Sequence, residues 1–247
     1  MPSFQPYKAV LAGGTGYVGR QMTKQLLLSP LCQKLVVIGR QPIIGLEKMT
    51  SSSKLQQVQA DFQSPTFDED VAEAVRGADV AFCLLGTRFG WANEADQNLM
   101  LEVDVGYTER FAHVCRNAGV RHFSLTSIQG ADVKSYSKSK KTKALAEAAV
   151  AEVGFERLSI YRPFVITDEK SNVNEGAPGI SAVLRRKITP KVSKFLPSTF
   201  MPVSRADLAL AMRLNAEVVD MPVQNHDGGF REILHPDQVL KIVKSAV

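Results

Sequence analysis

The sequence predicts an α/β protein built on a doubly wound, mostly parallel sheet with helices on both faces. Three observations predict it. Short apolar runs alternate with segments of helical period from Tyr7 to Ile166. The first run is followed at once by a glycine-rich turn. Each later run returns after a helix-length interval, as repeated βαβ units require.

Taken in order, strands are expected at residues 8–12, 34–38, 55–60, 80–84, 122–126 and 157–161. Helices are expected at 19–28, 68–75, 99–117 and 139–152, where apolar residues recur at three- and four-residue spacing. Gly119 and Gly154 fall where helix C-terminal caps belong. From Thr167 the rhythm changes. Gly176, Pro178, Gly179, Pro190, Pro197 and Pro202 break residues 167–204 into loops and short helices, a small C-terminal lid on the substrate side. Ser204 is suited to cap a helix at 205–217, and a terminal helix is expected at 236–246. The 247 residues carry no internal repeat, and with 45% apolar content they read as one domain around one sizeable core.

Composition excludes several classes. The longest apolar runs are too short to cross a bilayer, and the N-terminal residues MPSFQPYK lack the apolar centre of a signal peptide. The first strand also leaves no space for a presequence, so the expected location is the cytoplasm, with mitochondrial association left open. Cys32, Cys83 and Cys115 are odd in number and sit among apolar residues, which predicts buried free thiols in a reducing compartment. The net charge of +5 comes from dispersed cations except in two clusters, 134–143 and 185–194. Neither is interleaved with stacking aromatics, so nucleic acid is not an expected partner. The second cluster, with Arg185, Arg186, Lys187, Lys191 and Lys194, could meet an anionic membrane or protein surface. His113 and Cys115 lie two apart and face different sides of a helix, so no metal site is expected. Gly-x-Ser-x-Gly is absent.

The chemistry concentrates on Gly13-Gly14-Thr15-Gly16-Tyr17-Val18-Gly19, directly after the first strand and opening the first helix. Gly13 permits the tight turn, Gly16 lets the backbone approach a pyrophosphate, and Gly19 lets helix pack closely on strand. The helix N-terminus, from Tyr17 and Val18 on, then offers free N–H groups and a positive dipole end to phosphate. This is the dinucleotide turn of a Rossmann fold. An NAD site places a carboxylate at the end of the second strand, but here that strand ends Ile38-Gly39-Arg40. Arg40 can pair with a 2′-phosphate, which favours NADP(H). Asp61 ends the third strand where it could accept from the adenine amino group, and Leu85-Gly86-Thr87 ends the fourth beside the cofactor path. Phe89 and Trp91 follow, either lining the crevice or packing in the core.

The segments GGTGYVG, LVVIGR, VAFCLLGTRFG and HFSLTSIQGAD, with the pair Arg162-Pro163, make the chain similar to atypical short-chain dehydrogenase/reductases. It most resembles the Tat-interacting oxidoreductase-like branch. The resemblance continues weakly through residues 201–208. It implies a Ser at the end of the fifth strand that polarises a carbonyl, and a Tyr and Lys one helical turn apart. The ammonium lowers the phenol's pKa and holds the nicotinamide ribose. Ser127 matches the serine, with Thr126 beside it, and Pro163 joins the cofactor contacts. Two registers compete for the other pair. The literal match is Tyr136 with Lys140. The alternative aligns Lys143, followed by Glu147, and puts Ser139 in the tyrosine position, where the usual proton donor is missing. Two functions follow from these alternatives: an NADPH-dependent oxidoreductase acting on a small carbonyl substrate, or a weak or inactive NADPH-bound scaffold with a regulatory or assembly partner.

Overall fold

The computed structural model describes residues 5–45, 53–87, 94–167, 197–218 and 229–245. Phe89, Trp91, residues 168–196 of the expected lid and the whole of the 185–194 cluster lie outside them.

Seven strands form one sheet in the order β3-β2-β1-β4-β5-β6-β9, every pair parallel. They are β1 (Tyr7–Ala12), β2 (Cys32–Gly39), β3 (Leu55–Gln59), β4 (Val80–Cys83), β5 (His122–Thr126), β6 (Arg157–Tyr161) and β9 (Phe230–Leu234). Two three-residue strands, β7 (Val165–Thr167) and β8 (Pro202–Ser204), pair separately and tie together the chain on either side of 168–196. A parallel sheet is buried on both faces, so its central strands are apolar on both sides. In β1, Val10 and Ala12 enter one core while Ala9 and Leu11 enter the other.

The first core is covered by α2 (Phe67–Val75), α4 (Thr108–Asn117) and α5 (Lys138–Glu152), through Phe67, Val71, Phe111, Cys115 and Val150. The second is covered by α1 (Tyr17–Leu28), α6 (Arg205–Glu217) and α7 (Pro236–Lys244), through Met22, Leu26, Leu208, Met212 and Val239. Gly119 and Gly154, at φ of +89° and +77°, end α4 and α5 as expected. The Ser204 side chain accepts from the Asp207 N–H at 2.9 Å and caps α6. All three cysteines are free and buried, and burial pushes the Cys32 thiol up to about 11. No helix among the described residues is long and apolar enough to cross a membrane.

Besides the short strands β7 and β8, where loops and short helices were expected, the structure departs from expectation in two places. The helix read as 99–117 is α3 (Glu94–Leu101), a π-helical stretch (Glu102–Tyr107) and then α4. The wider turn accommodates Asp104, a charged side chain facing inward. The other is the unexpected strand β9. Its sequence Phe-Arg-Glu-Ile-Leu has charge at its centre, but Glu232 is spent inside the sheet, accepting from Arg157, Ser159 and Asn215.

Candidate functional site

The strand order reverses between β1 and its two neighbours, β2 and β4. Ligands of such sheets bind in the crevice outside the carboxyl ends of the strands at that switch point. A cleft of about 750 Å³ lies there.

Its floor is the glycine turn. Gly13 has φ of +86°, and a side chain on it would sit 2.5 Å from the Leu84 carbonyl oxygen. A Cβ on Gly14 would lie 2.8 Å from Val37 and 2.9 Å from Ile43. A Cβ on Gly19 would overlap the Gly13 carbonyl oxygen, and the Gly16 N–H donates to that oxygen at 3.1 Å. Helix α1 opens on Gly16 with no side-chain cap and no acidic residue in its first turn, which suits its positive end to an anion. Thr15 is exposed at the cleft. The side chains of Tyr17 and Val18 turn elsewhere: Arg205 stacks 3.9 Å over the Tyr17 ring, and Val18 packs on the second core.

At the β2 end, Gly39 and the exposed Arg40 line the cleft, and no carboxylate is among the described residues that line it. Asp61 is exposed and folds back to accept from the Gln63 N–H at 3.1 Å. Phe62 and Gln63 form the wall there instead. Phe62 stacks on Tyr107 at 5.2 Å, while Glu102 accepts from the Gln63 amide at 2.8 Å and from the Tyr107 hydroxyl at 3.0 Å. Sequence reasoning missed these residues. Phe62 and Gln63 could have been found as the immediate successors of Asp61, whereas Tyr107 gave no signal.

Leu85, Gly86 and Thr87 line the opposite wall. Lys143 reaches them from α5, donating to the Leu85 carbonyl at 3.3 Å and pairing with Asp104 at 2.6 Å. Tyr136 and Lys140 are not brought there. Tyr136 is fully exposed on the loop before α5, and Lys140 lies exposed over Gly130. The residue one turn before Lys143 is Ser139. Ser127 is buried, and its hydroxyl donates to Glu147 at 2.5 Å. Glu147 in turn accepts from Arg162 through both oxygens. The buried Pro163 uses its carbonyl to accept from the Gln129 N–H at 2.9 Å.

Backbone that excludes side chains, an uncapped helix end and a long cleft across the switch point together fit a dinucleotide, and they define a nucleotide-cofactor protein of Rossmann type. The chain belongs to the NAD(P)H-binding family, which it matches over residues 13–191. It is 31% identical to Protein HTATIP2 of Rattus norvegicus over 169 residues, 68% of this chain and 65% of that protein's length. With Protein FMP52, mitochondrial, of Debaryomyces hansenii it shares 24% identity over 238 residues, 96% of this chain and 98% of the relative. Its fold matches that of a short-chain dehydrogenase/reductase superfamily protein from Agrobacterium tumefaciens with bound NAD. The TM-score is 0.63 at 16% identity, covering 93% of this chain and 77% of the other.

Proposed function

We propose that this chain holds NADP(H) as a regulatory or assembly protein in which reductase chemistry is weak or lost. The observation that carries the reading is the position one turn before Lys143. It holds Ser139, while Tyr136 stands in solvent on the preceding loop. A serine hydroxyl has neither the reach nor the acidity of a phenol. Ser127, which would polarise a carbonyl, has its proton engaged by Glu147.

The glycine turn and the start of α1 would hold the diphosphate, Arg40 the 2′-phosphate and Lys143 the nicotinamide ribose. When bound, the nicotinamide supplies a hydride donor or acceptor. Buried free thiols and the mitochondrial names of the fungal relatives support a reducing compartment, cytoplasmic or mitochondrial.

The retained Lys143, bonded to Leu85 of the cleft wall, favours a second reading, an NADPH-dependent reductase of small carbonyls. Turnover separates the two. Under the first, NADPH binds but is consumed negligibly across a carbonyl panel, and Tyr136→Phe changes nothing. Steady oxidation of NADPH that Tyr136→Phe or Lys143→Met abolishes would establish the second. The cofactor choice is tested separately by Arg40→Asp, which replaces a charge-assisted contact with repulsion. It should weaken NADPH binding by about tenfold or more and leave NADH binding unharmed. Unchanged preference in a titration would reject the role of Arg40.

A further inference from the structure

We infer that Asp104 is the positioning residue for the nicotinamide half of the cofactor, fixing the Lys143 ammonium and the turn after β4 as one unit. The inference rests on the reading of the cleft as a dinucleotide site.

A carboxylate is costly to bury unless it is paired and hydrogen-bonded. The Asp104 side chain is 5% exposed, and its partners are Lys143 and Thr87, of which Thr87 lines the cleft. One oxygen pairs with Lys143 at 2.6 Å. The other accepts from the Thr87 N–H at 2.8 Å and the Thr87 hydroxyl at 3.0 Å. The same π-helical segment contributes Val103 and Tyr107 to the cleft, so Asp104 stands directly behind the lining. Gly86 lies over the cluster: a Cβ there would be 3.3 Å from the Lys143 nitrogen and 3.4 Å from the Asp104 oxygen.

The donor inventory of Lys143 points the same way. An ammonium has three protons and accepts nothing. Among the described residues, Asp104 and the Leu85 carbonyl take two of them. The third has no partner among the described residues and is free to donate to a ribose hydroxyl. With Ser139 in place of a phenol, Asp104 supplies the anionic partner that orients this lysine.

The test compares two ligands that differ in the nicotinamide half, NADPH and 2′,5′-ADP, by calorimetric titration of the purified chain, with NADH and ADP in parallel. Asp104→Asn should weaken NADPH binding by about tenfold, the worth of a charged hydrogen bond, and leave 2′,5′-ADP binding unchanged. Lys143→Met should do the same, and adding Asp104→Asn to it should cost nothing more. That double variant carries no unpaired buried charge and keeps the test alive if Asp104→Asn alone does not fold. A parallel loss for both ligands would mean that Asp104 only maintains the shape of the cleft. That result, or full NADPH affinity in the double variant, overturns the inference. If the unaltered chain binds NADPH no more tightly than 2′,5′-ADP, the inference falls while the cofactor reading stands. If it binds no nucleotide at all, the cofactor reading falls and takes the inference with it.

Discussion

Gly19 shows how strictly single residues set this site. A methyl group there would overlap the Gly13 carbonyl oxygen and press on the Gly14 backbone, so α1 would have to move off the phosphate turn. Gly19→Ala should therefore cost about 1–3 kcal/mol of stability in urea unfolding. It should also remove nucleotide binding in calorimetric titration, because the amide donors of α1 shift with the helix. A variant that binds as the unaltered chain does would show that the turn tolerates a side chain. Such requirements are legible in sequence because they are local: three glycines, the strand before them and Arg40 at the next strand end are read within one βαβ unit. The lysine register was not legible. Lys138, Lys140, Lys141 and Lys143 crowd one stretch of helix, and the residue that singles out Lys143 is Asp104, on another element. Ser127 was read by position at a strand end, but the acceptor of its proton, Glu147, becomes its neighbour only when α5 packs on the sheet.

Elements were legible where burial is two-sided and continuous. The six expected strands appear in place; β1, β4 and β5 are legible because a parallel strand covered on both faces needs little polar interruption, whereas β3, Leu-Gln-Gln-Val-Gln, lies half-buried at the edge. β9 escaped because the charge at its centre reads as solvent-facing, whereas Glu232 is neutralised by Arg157. The π-helical turn escaped because its irregular spacing serves Asp104 rather than the hydrophobic stripe. Helix α5 joins the sheet through a charge of the same kind. Glu147 is buried and bridges Ser127 after β5 to Arg162 after β6. Glu147→Leu leaves Arg162 without its partner in a largely buried place and should destabilise the chain by roughly 3 kcal/mol. Adding Arg162→Met removes the stranded charge and should recover part of that loss. Equal unfolding midpoints for the single and double variants would show that the pair is not coupled.

Across the whole molecule, two apolar cores hold the centre of the sheet, while its far edge is joined by a buried polar network. His122 on β5 meets the Ser159 hydroxyl on β6 at 2.8 Å, and that hydroxyl gives its own proton to Glu232 on β9. The imidazole therefore donates through Nε2. Burial, reinforced by the Arg157 guanidinium, holds its pKa well below the ordinary value. The unfolded chain takes up a proton near pH 6.5, and the folded chain resists it. Stability is thus complete above that pH and falls as the pH drops towards the depressed folded value, at up to about 1.4 kcal/mol per pH unit. Carboxylates titrate lower, near pH 4, so the interval from pH 7 to 5.5 reads histidine, and the share of His122 is the part that replacing it removes. His122→Gln keeps a donor but cannot titrate. It should lower stability at pH 7.5 and flatten the decline between pH 7 and 5.5 in urea unfolding. An equally steep decline in the variant would show that the acid sensitivity of the sheet edge lies elsewhere than in this buried imidazole.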